Sequence, residues 1–215
     1  MHDVVNRLIA IQREIQTKSS SAEVIAVSKT FPMNKILPLI NHGHKHFGEN
    51  KVQEAIDKWT SVKEDFIDIK LHLIGKLQTN KVKHALPLFD YIHSLDSQKL
   101  AEKIADQQIK KSIKVKTFIQ INIGNETQKN GIEIENLENF YEKCSKEYKL
   151  DIVGLMCLPP IDKDAGIYFS KMHELLKKIN LKELSMGMSN DYIEALKHKS
   201  TFLRIGSKIF GKRSQ

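Results

Sequence analysis

Glu23-Val-Ile-Ala-Val-Ser-Lys29-Thr-Phe-Pro32 is a short apolar run that ends on a lysine. Val24, Ile25, Ala26 and Val27 present apolar side chains to both faces of an extended segment, the pattern of a parallel strand covered on both sides. Lys29 stands at the mouth of that strand, where partial loss of water disfavours the ammonium form and leaves an amine able to attack an aldehyde. The plain alternative is a lysine whose stem follows the strand end while its charge stays in water, and this stretch by itself leaves both readings open. Pro32 ends the extended segment, and Asn34 is a candidate cap for the helix that follows.

The same grammar repeats outward from this stretch. Residues 1–18 carry Val4, Val5, Leu8, Ile9 and Ile15 at helical spacing between charged residues, which reads as an amphipathic helix and not as a signal peptide. Strands are expected at 24–27, 44–47, 70–75, 91–95, 115–123, 150–158, 181–186 and 201–205, with 48–50 as a turn. Helices are expected at 34–41, 52–59, 80–89, 97–110, 134–148, 163–179 and 191–198, the fourth of them turning Leu100, Ile104 and Ile109 inward. Eight strands alternating with eight helices, counting the first, is the α/β pattern of a single (β/α)8 barrel over residues 1–215. An open doubly wound sheet is the rival architecture.

Composition narrows the function classes. Apolar residues make up 40% and charged residues 28% of the 215, an ordinary globular balance, and no apolar run approaches the roughly 18 residues of a membrane span. The net charge of +8 comes from lysines scattered along helices, such as Lys110, Lys111, Lys114 and Lys116, without interleaved aromatics. That is a solvated surface and not a nucleic-acid face. Cys144 and Cys157 have neither metal-ligand nor redox spacing, so a reducing, cytoplasmic compartment is expected. His42, His44 and His46 alternate, but no partner cluster accompanies them, and no metal site is expected.

The strand ends hold the unusual residues. In a barrel the active site lies at the carboxyl ends of the strands, and here those ends present Lys29, Asn50, Gly75, Ser94, Asn122, Met156, Ser185 to Ser189, and Arg204 to Ser207. Ser185-Met-Gly-Met-Ser189 and Arg204-Ile-Gly206-Ser207 put small residues and hydroxyls after the seventh and eighth strands, where barrels frequently bind phosphate. Each turn alone reads as an ordinary cap; two together, across from a strand-end lysine, point to an anion site. Four arginines stand against 30 lysines, and Arg204 is the one in an apolar strand. The position calls for a planar, permanently charged fork or for a buried ion pair.

Six ordered motifs carry a family resemblance: Ala-Val-Ser-Lys-Thr (26–30), Phe-Gly-Glu-Asn-Lys-Val-Gln-Glu (47–54), His-Leu-Ile-Gly-Lys-Leu-Gln-Thr-Asn-Lys (72–81), Gly-Leu-Met (154–156), Leu-Ser-Met-Gly-Met-Ser (184–189) and Arg-Ile-Gly-Ser-Lys-Ile-Phe-Gly (204–211). Over nearly its whole length the chain resembles the YggS/PROSC pyridoxal-phosphate homeostasis proteins. The resemblance implies a single TIM barrel like the N-terminal domain of alanine racemase, the type III fold of pyridoxal-phosphate proteins, with pyridoxal 5′-phosphate held as an internal aldimine. By position Lys29 resembles the family's Schiff-base lysine, Ser189, Gly206 and Ser207 its phosphate cradle, and Arg204 the arginine facing the pyridine nitrogen, with Asn50 near the ring edge. Ser207 stands where the family often has threonine and keeps the hydroxyl. Cys157 stands where a smaller residue is usual and leaves the packing there open.

The implied activity is a carrier and buffer of the vitamin, serving intracellular B6 and amino-acid homeostasis, with free amino acids or apo enzymes as acceptors. An amino-acid racemase is the alternative. Lys29 serves one face of the ring, and the sequence shows no second domain to supply a base for the other, so efficient catalysis is not expected. No nucleic-acid or membrane partner is implied, and a monomer is the expected state.

Overall fold

A computed structural model describes residues 2–18, 20–126 and 130–211. Among them the expected strands form as β1 (Glu23–Val27), β2 (His46–Glu49), β3 (Lys70–Leu73), β4 (Tyr91–Leu95), β5 (Lys116–Ile121), β6 (Asp151–Cys157), β7 (Glu183–Met188) and β8 (Phe202–Ile205). They pair in chain order, all parallel, and β1 returns to β8 through Val24 beside Leu203 and Ala26 beside Ile205. The sheet is a closed barrel, and the open doubly wound alternative falls. Closure leaves no sheet edge, and the apolar residues of β1 have neighbours on both faces. Val24 and Ala26 join the core between sheet and helices. Ile25 joins Phe118, Met156 and Phe202 in a smaller cluster that fills the barrel's interior.

The helices are α1 (Asp3–Thr17), α2 (Met33–Asn41), α3 (Val52–Asp65), α4 (Val82–Ala85), α5 (Gln98–Lys111), α6 (Leu137–Glu142), α7 (Ala165–Lys178), α8 (Tyr192–Lys197) and the single turn α9 (Ser207–Phe210). The amphipathic α1 packs against α2 and α9, with Val4, Val5, Leu8, Ile11 and Ile15 buried, and so covers the seam between β1 and β8. Arg7 Nη1 donates to Ile209 O, and the Tyr192 hydroxyl donates to Glu14, which ties α1 to the end of the chain's last two units.

Several expectations are corrected. β2 lies two residues later than 44–47, because Gly48 and Glu49, read as a turn, pair with His72 and Leu73 of β3. Helix 80–89 shrinks to a 3-10 turn and α4, since Pro87 lacks the N–H and clashes with the preceding turn. The helix expected at 134–148 divides into a 3-10 turn, α6 and a π segment, Lys143–Glu147. Asn34 does not cap α2; Pro32 takes the N-cap position with extended backbone and Asn34 falls inside the first turn. Ile109 is 81% exposed, while the inward stripe of α5 runs through Leu100, Ala101, Ile104, Ala105 and Gln108.

One glycine is set by barrel closure. Gly154 of β6 lies opposite Glu183 of β7, and a Cβ there would sit 1.9 Å from the Glu183 carbonyl oxygen. Gly154→Ala is therefore expected to push the two strands apart and to cost about 3 kcal/mol, the upper range for overpacking a core. Urea denaturation checks it. A midpoint within error of the unmodified protein would show that β6 and β7 separate freely at this point.

Candidate functional site

In a closed parallel barrel every strand's carboxyl end opens on one mouth, so Lys29, Asn50, Ser189, Gly206 and Ser207 share a rim although up to 178 positions separate them in the chain. Lys29 follows β1 and is half-buried. Its two neighbours are fixed from α3. Ser28 donates its hydroxyl to Glu49 Oε1 at 2.8 Å and its carbonyl accepts from Lys58 Nζ at 3.1 Å. Thr30 sits in the left-handed region at φ 67°, a strained position for a branched residue, and its N–H donates to Glu54 Oε1 at 2.6 Å.

The centre of this clamp is Glu49, completely buried on the outer face of β2. Its Oε1 accepts from Ser28, from Trp59 Nε1 at 2.9 Å and from Lys58 Nζ at 2.9 Å. Lys58 also donates to Glu54 Oε1 at 3.0 Å, so one ammonium joins two carboxylates and the loop that carries Lys29. Asn50, next along the chain, is half-buried and lies under Gly75, where an added Cβ would come within 2.3 Å of the Asn50 carbonyl oxygen. The glycine thus lets the β3 end close on Asn50 at the rim.

Ser189 and Ser207 come together across the β7 and β8 ends. The Lys208 N–H, in the first turn of α9, donates weakly to Ser189 Oγ at 3.4 Å. Gly206 approaches β1 as well, its added Cβ lying 3.4 Å from Val27. The two turns after the last strands therefore form one patch of hydroxyls and backbone donors beside the Lys29 strand. Asp191 takes the N-cap position of α8 and accepts from the Met188 N–H at 2.6 Å, fixing the turn that holds Ser189.

Arg204 points into the barrel and is buried. Its Nη1 donates to Ser185 O at 2.5 Å and to Ser185 Oγ at 2.7 Å, and its Nη2 donates to Cys157 O at 2.8 Å. Among the described residues no carboxylate lies within ion-pair distance, which selects the fork over the ion pair. Burial pulls the Arg204 pKa down, opposed by the negative charge of Asp191. A guanidinium still keeps its proton. Cys157 packs without exposure, and burial pushes its thiol up to about 12, so it sits there as a neutral thiol.

Beneath Arg204 lies an arrangement the sequence reading missed. Inside the barrel, His46 Nδ1 meets His72 Nε2 at 2.9 Å, His72 Nδ1 meets His93 Nε2 at 2.9 Å, and His93 Nδ1 meets Ser185 Oγ at 2.9 Å. The rings are packed by Tyr91, Phe118 and Phe202, with His72 stacked on Tyr91 and His93 on Phe118 at 4.3 Å between centroids. The available signal was a lone histidine inside each of two apolar strands, Leu71-His72-Leu73 and Ile92-His93-Ser94. The clamp had a signal too, the Glu54/Lys58 spacing on α3.

Comparison with known proteins follows the same residues. The pattern of the family described as "Alanine racemase, N-terminal domain" matches residues 6–214. A pyridoxal phosphate homeostasis protein of Aquifex aeolicus is 38% identical over 201 residues, covering 89% of this chain and 87% of that protein. One of Escherichia coli K12 is 30% identical over 229 residues, covering 99% of this chain and 98% of that protein. Among solved structures, PipY of Synechococcus elongatus with pyridoxal phosphate bound superposes with a TM-score of 0.86 at 32% identity, over 97% of this chain and 100% of that one. Alanine racemase of Clostridium difficile superposes at 0.74 with 14% identity, covering 99% of this chain and 57% of that one, a likeness of fold alone.

Proposed function

We propose, because this chain belongs to the alanine racemase N-terminal-domain family and within it to the pyridoxal phosphate homeostasis proteins, that it binds pyridoxal 5′-phosphate at the carboxyl-end mouth and holds it in a protected, exchangeable form. The single observation that carries the reading is the buried Arg204 guanidinium, bonded among the described residues to neutral oxygens of Ser185 and Cys157, in a barrel that superposes on a pyridoxal-phosphate-bound relative. The residues present fit that group. A phosphate finds donors in Ser189, Ser207 and the Gly206 turn, and a ring nitrogen finds in Arg204 a donor that does not release its proton.

Bound, the cofactor supplies an aldehyde that amines capture reversibly. Lys29 is the amine we assign to it, held at the β1 end by the Glu49–Lys58–Glu54 clamp. Asn50, half-buried at the same rim, would stand at the edge of the bound ring. Because Arg204 cannot hand a proton to the ring, the ring is a weak electron sink, which favours carriage over racemisation; exchange of the aldehyde between amines needs no carbanion. We assign free amino acids and apo forms of pyridoxal-phosphate enzymes as acceptors, and a monomer in the cytoplasm as the working state. Both cysteines being buried free thiols supports a reducing compartment. Among the described residues no helix is long and apolar enough to cross a membrane.

The test is incubation with pyridoxal 5′-phosphate, then borohydride, for the unmodified protein and Lys29→Ala. We expect a visible absorption band and, after reduction, a peptide of increased mass at Lys29; the variant loses the label completely. A band of equal strength in Lys29→Ala, or none in the unmodified protein, would overturn the assignment of Lys29.

A further inference from the structure

We propose that His46, His72, His93 and Ser185 are positioning residues that hold Arg204 from beneath, as one directed hydrogen-bond column in which all three imidazoles are neutral and carry their hydrogen on Nε2. The column spans the barrel from its amino-terminal mouth to the arginine. Its role toward the cofactor rests on the reading above; its direction does not.

Direction follows from counting hydrogens. A guanidinium only donates, so Ser185 Oγ accepts from Arg204 Nη1 at 2.7 Å. The serine's own hydrogen then needs an acceptor, and among the described residues the atom within reach is His93 Nδ1, at 2.9 Å. His93 Nδ1 is therefore bare and its hydrogen is on Nε2, aimed at His72 Nδ1 at 2.9 Å. The same step repeats from His72 Nε2 to His46 Nδ1. His46 Nε2–H is left at the amino-terminal end, where a cavity of about 260 Å³ is lined by His46, Glu23, His44 and Lys45. The opposite direction would aim two donors at Ser185 Oγ and orphan its buried hydrogen.

An imidazolium at any joint would set one N–H against another, so the geometry admits only neutral rings. Burial acts in the same sense. His72 and His93, fully buried, are held well below the usual histidine range by desolvation, helped at His93 by the Arg204 charge and at His72 by its histidine neighbours and Lys63. His46 is lowered chiefly by desolvation; Glu23 and Asp90 face it from one side of the balance, Lys70 and Lys45 from the other. The column thus supports the guanidinium without adding a second positive charge beside it, and keeps Ser185 oriented as an acceptor for Nη1.

Two measurements test this. Imidazole nitrogen NMR on the unmodified protein without cofactor, near neutral pH, is expected to show His46, His72 and His93 as neutral Nε2–H rings; an Nδ1–H or doubly protonated ring at His72 or His93 overturns the column, whatever becomes of the cofactor reading. Pyridoxal 5′-phosphate binding is then compared for His93→Phe and His93→Gln. Loss of one bond in a chain that ends on a charge predicts about a tenfold rise in Kd and a displaced absorption band for His93→Phe. His93→Gln, which presents an acceptor to Ser185, is expected to restore both. A folded His93→Phe with unchanged Kd and band overturns the link to Arg204.

Discussion

Acidification is expected to unfold this protein at about pH 5. The cause is the set of histidines the fold keeps neutral. Burial pulls His44 from 6.5 to about 4, and it pulls the fully buried His72 and His93 well below 6.5. In the unfolded chain all three take up protons once the pH falls below the ordinary histidine value, and in the folded protein they do not. The stability is therefore whole above pH 6.5 and is lost as the pH falls from there toward the folded values. Each such histidine removes ~1.4 kcal/mol per pH unit, so three remove about 4 kcal/mol per unit against a total of roughly 5–15 kcal/mol.

Urea midpoints at about pH 7.5, 6.5 and 5.5 measure that slope directly. His72→Gln removes one titrating ring, so its stability should fall less steeply with acid, by about 1.4 kcal/mol per unit, even if it starts lower. Midpoints that do not move between these values would mean that the column takes up protons in the folded state. That outcome would also contradict the neutral rings on which the direction of the column depends.

Lys58→Met is expected to destabilise the protein by about 4 kcal/mol and to slow covalent capture of pyridoxal 5′-phosphate, although the residue is absent from the rim. The Lys58 side chain is 11% exposed, and its ammonium bonds Glu49 Oε1, Glu54 Oε1 and the Ser28 carbonyl at once. Removing it strands a Glu49 carboxylate that is wholly buried and whose Oε2 already has no hydrogen-bond partner among the described residues. Isolating one member of a buried pair costs far more than deleting both. Lys58→Met combined with Glu49→Gln should therefore recover most of the stability. Capture should recover less, because the Ser28 carbonyl still lacks its anchor and Lys29 follows it. If the double variant is no more stable than the single one, the stranded charge is not the cause.

The barrel itself was legible from residue order, because each element carries its own local signal. A strand covered on both faces must be apolar throughout, as 24–27 is, and a helix lying on the sheet must show one apolar stripe, as α1 does. Lys29, Ser189, Arg204, Gly206 and Ser207 were legible as candidates, since a reactive or charged type at a strand end breaks the apolar pattern around it. What the chain alone does not contain is who meets whom. Glu49 reads from the sequence as part of a turn, and it becomes a buried clamp only because α3 lays Lys58 and Trp59 against it. His46, His72 and His93 come from three strands, separated by 26 and 21 positions, and bond only after closure turns alternate residues of adjacent strands into one interior. Local propensity acts over a few residues and writes the elements into the sequence. Burial and hydrogen-bond pairing act across the closed barrel, and they decided which lysine is clamped, which histidines are neutral and what stands behind the arginine.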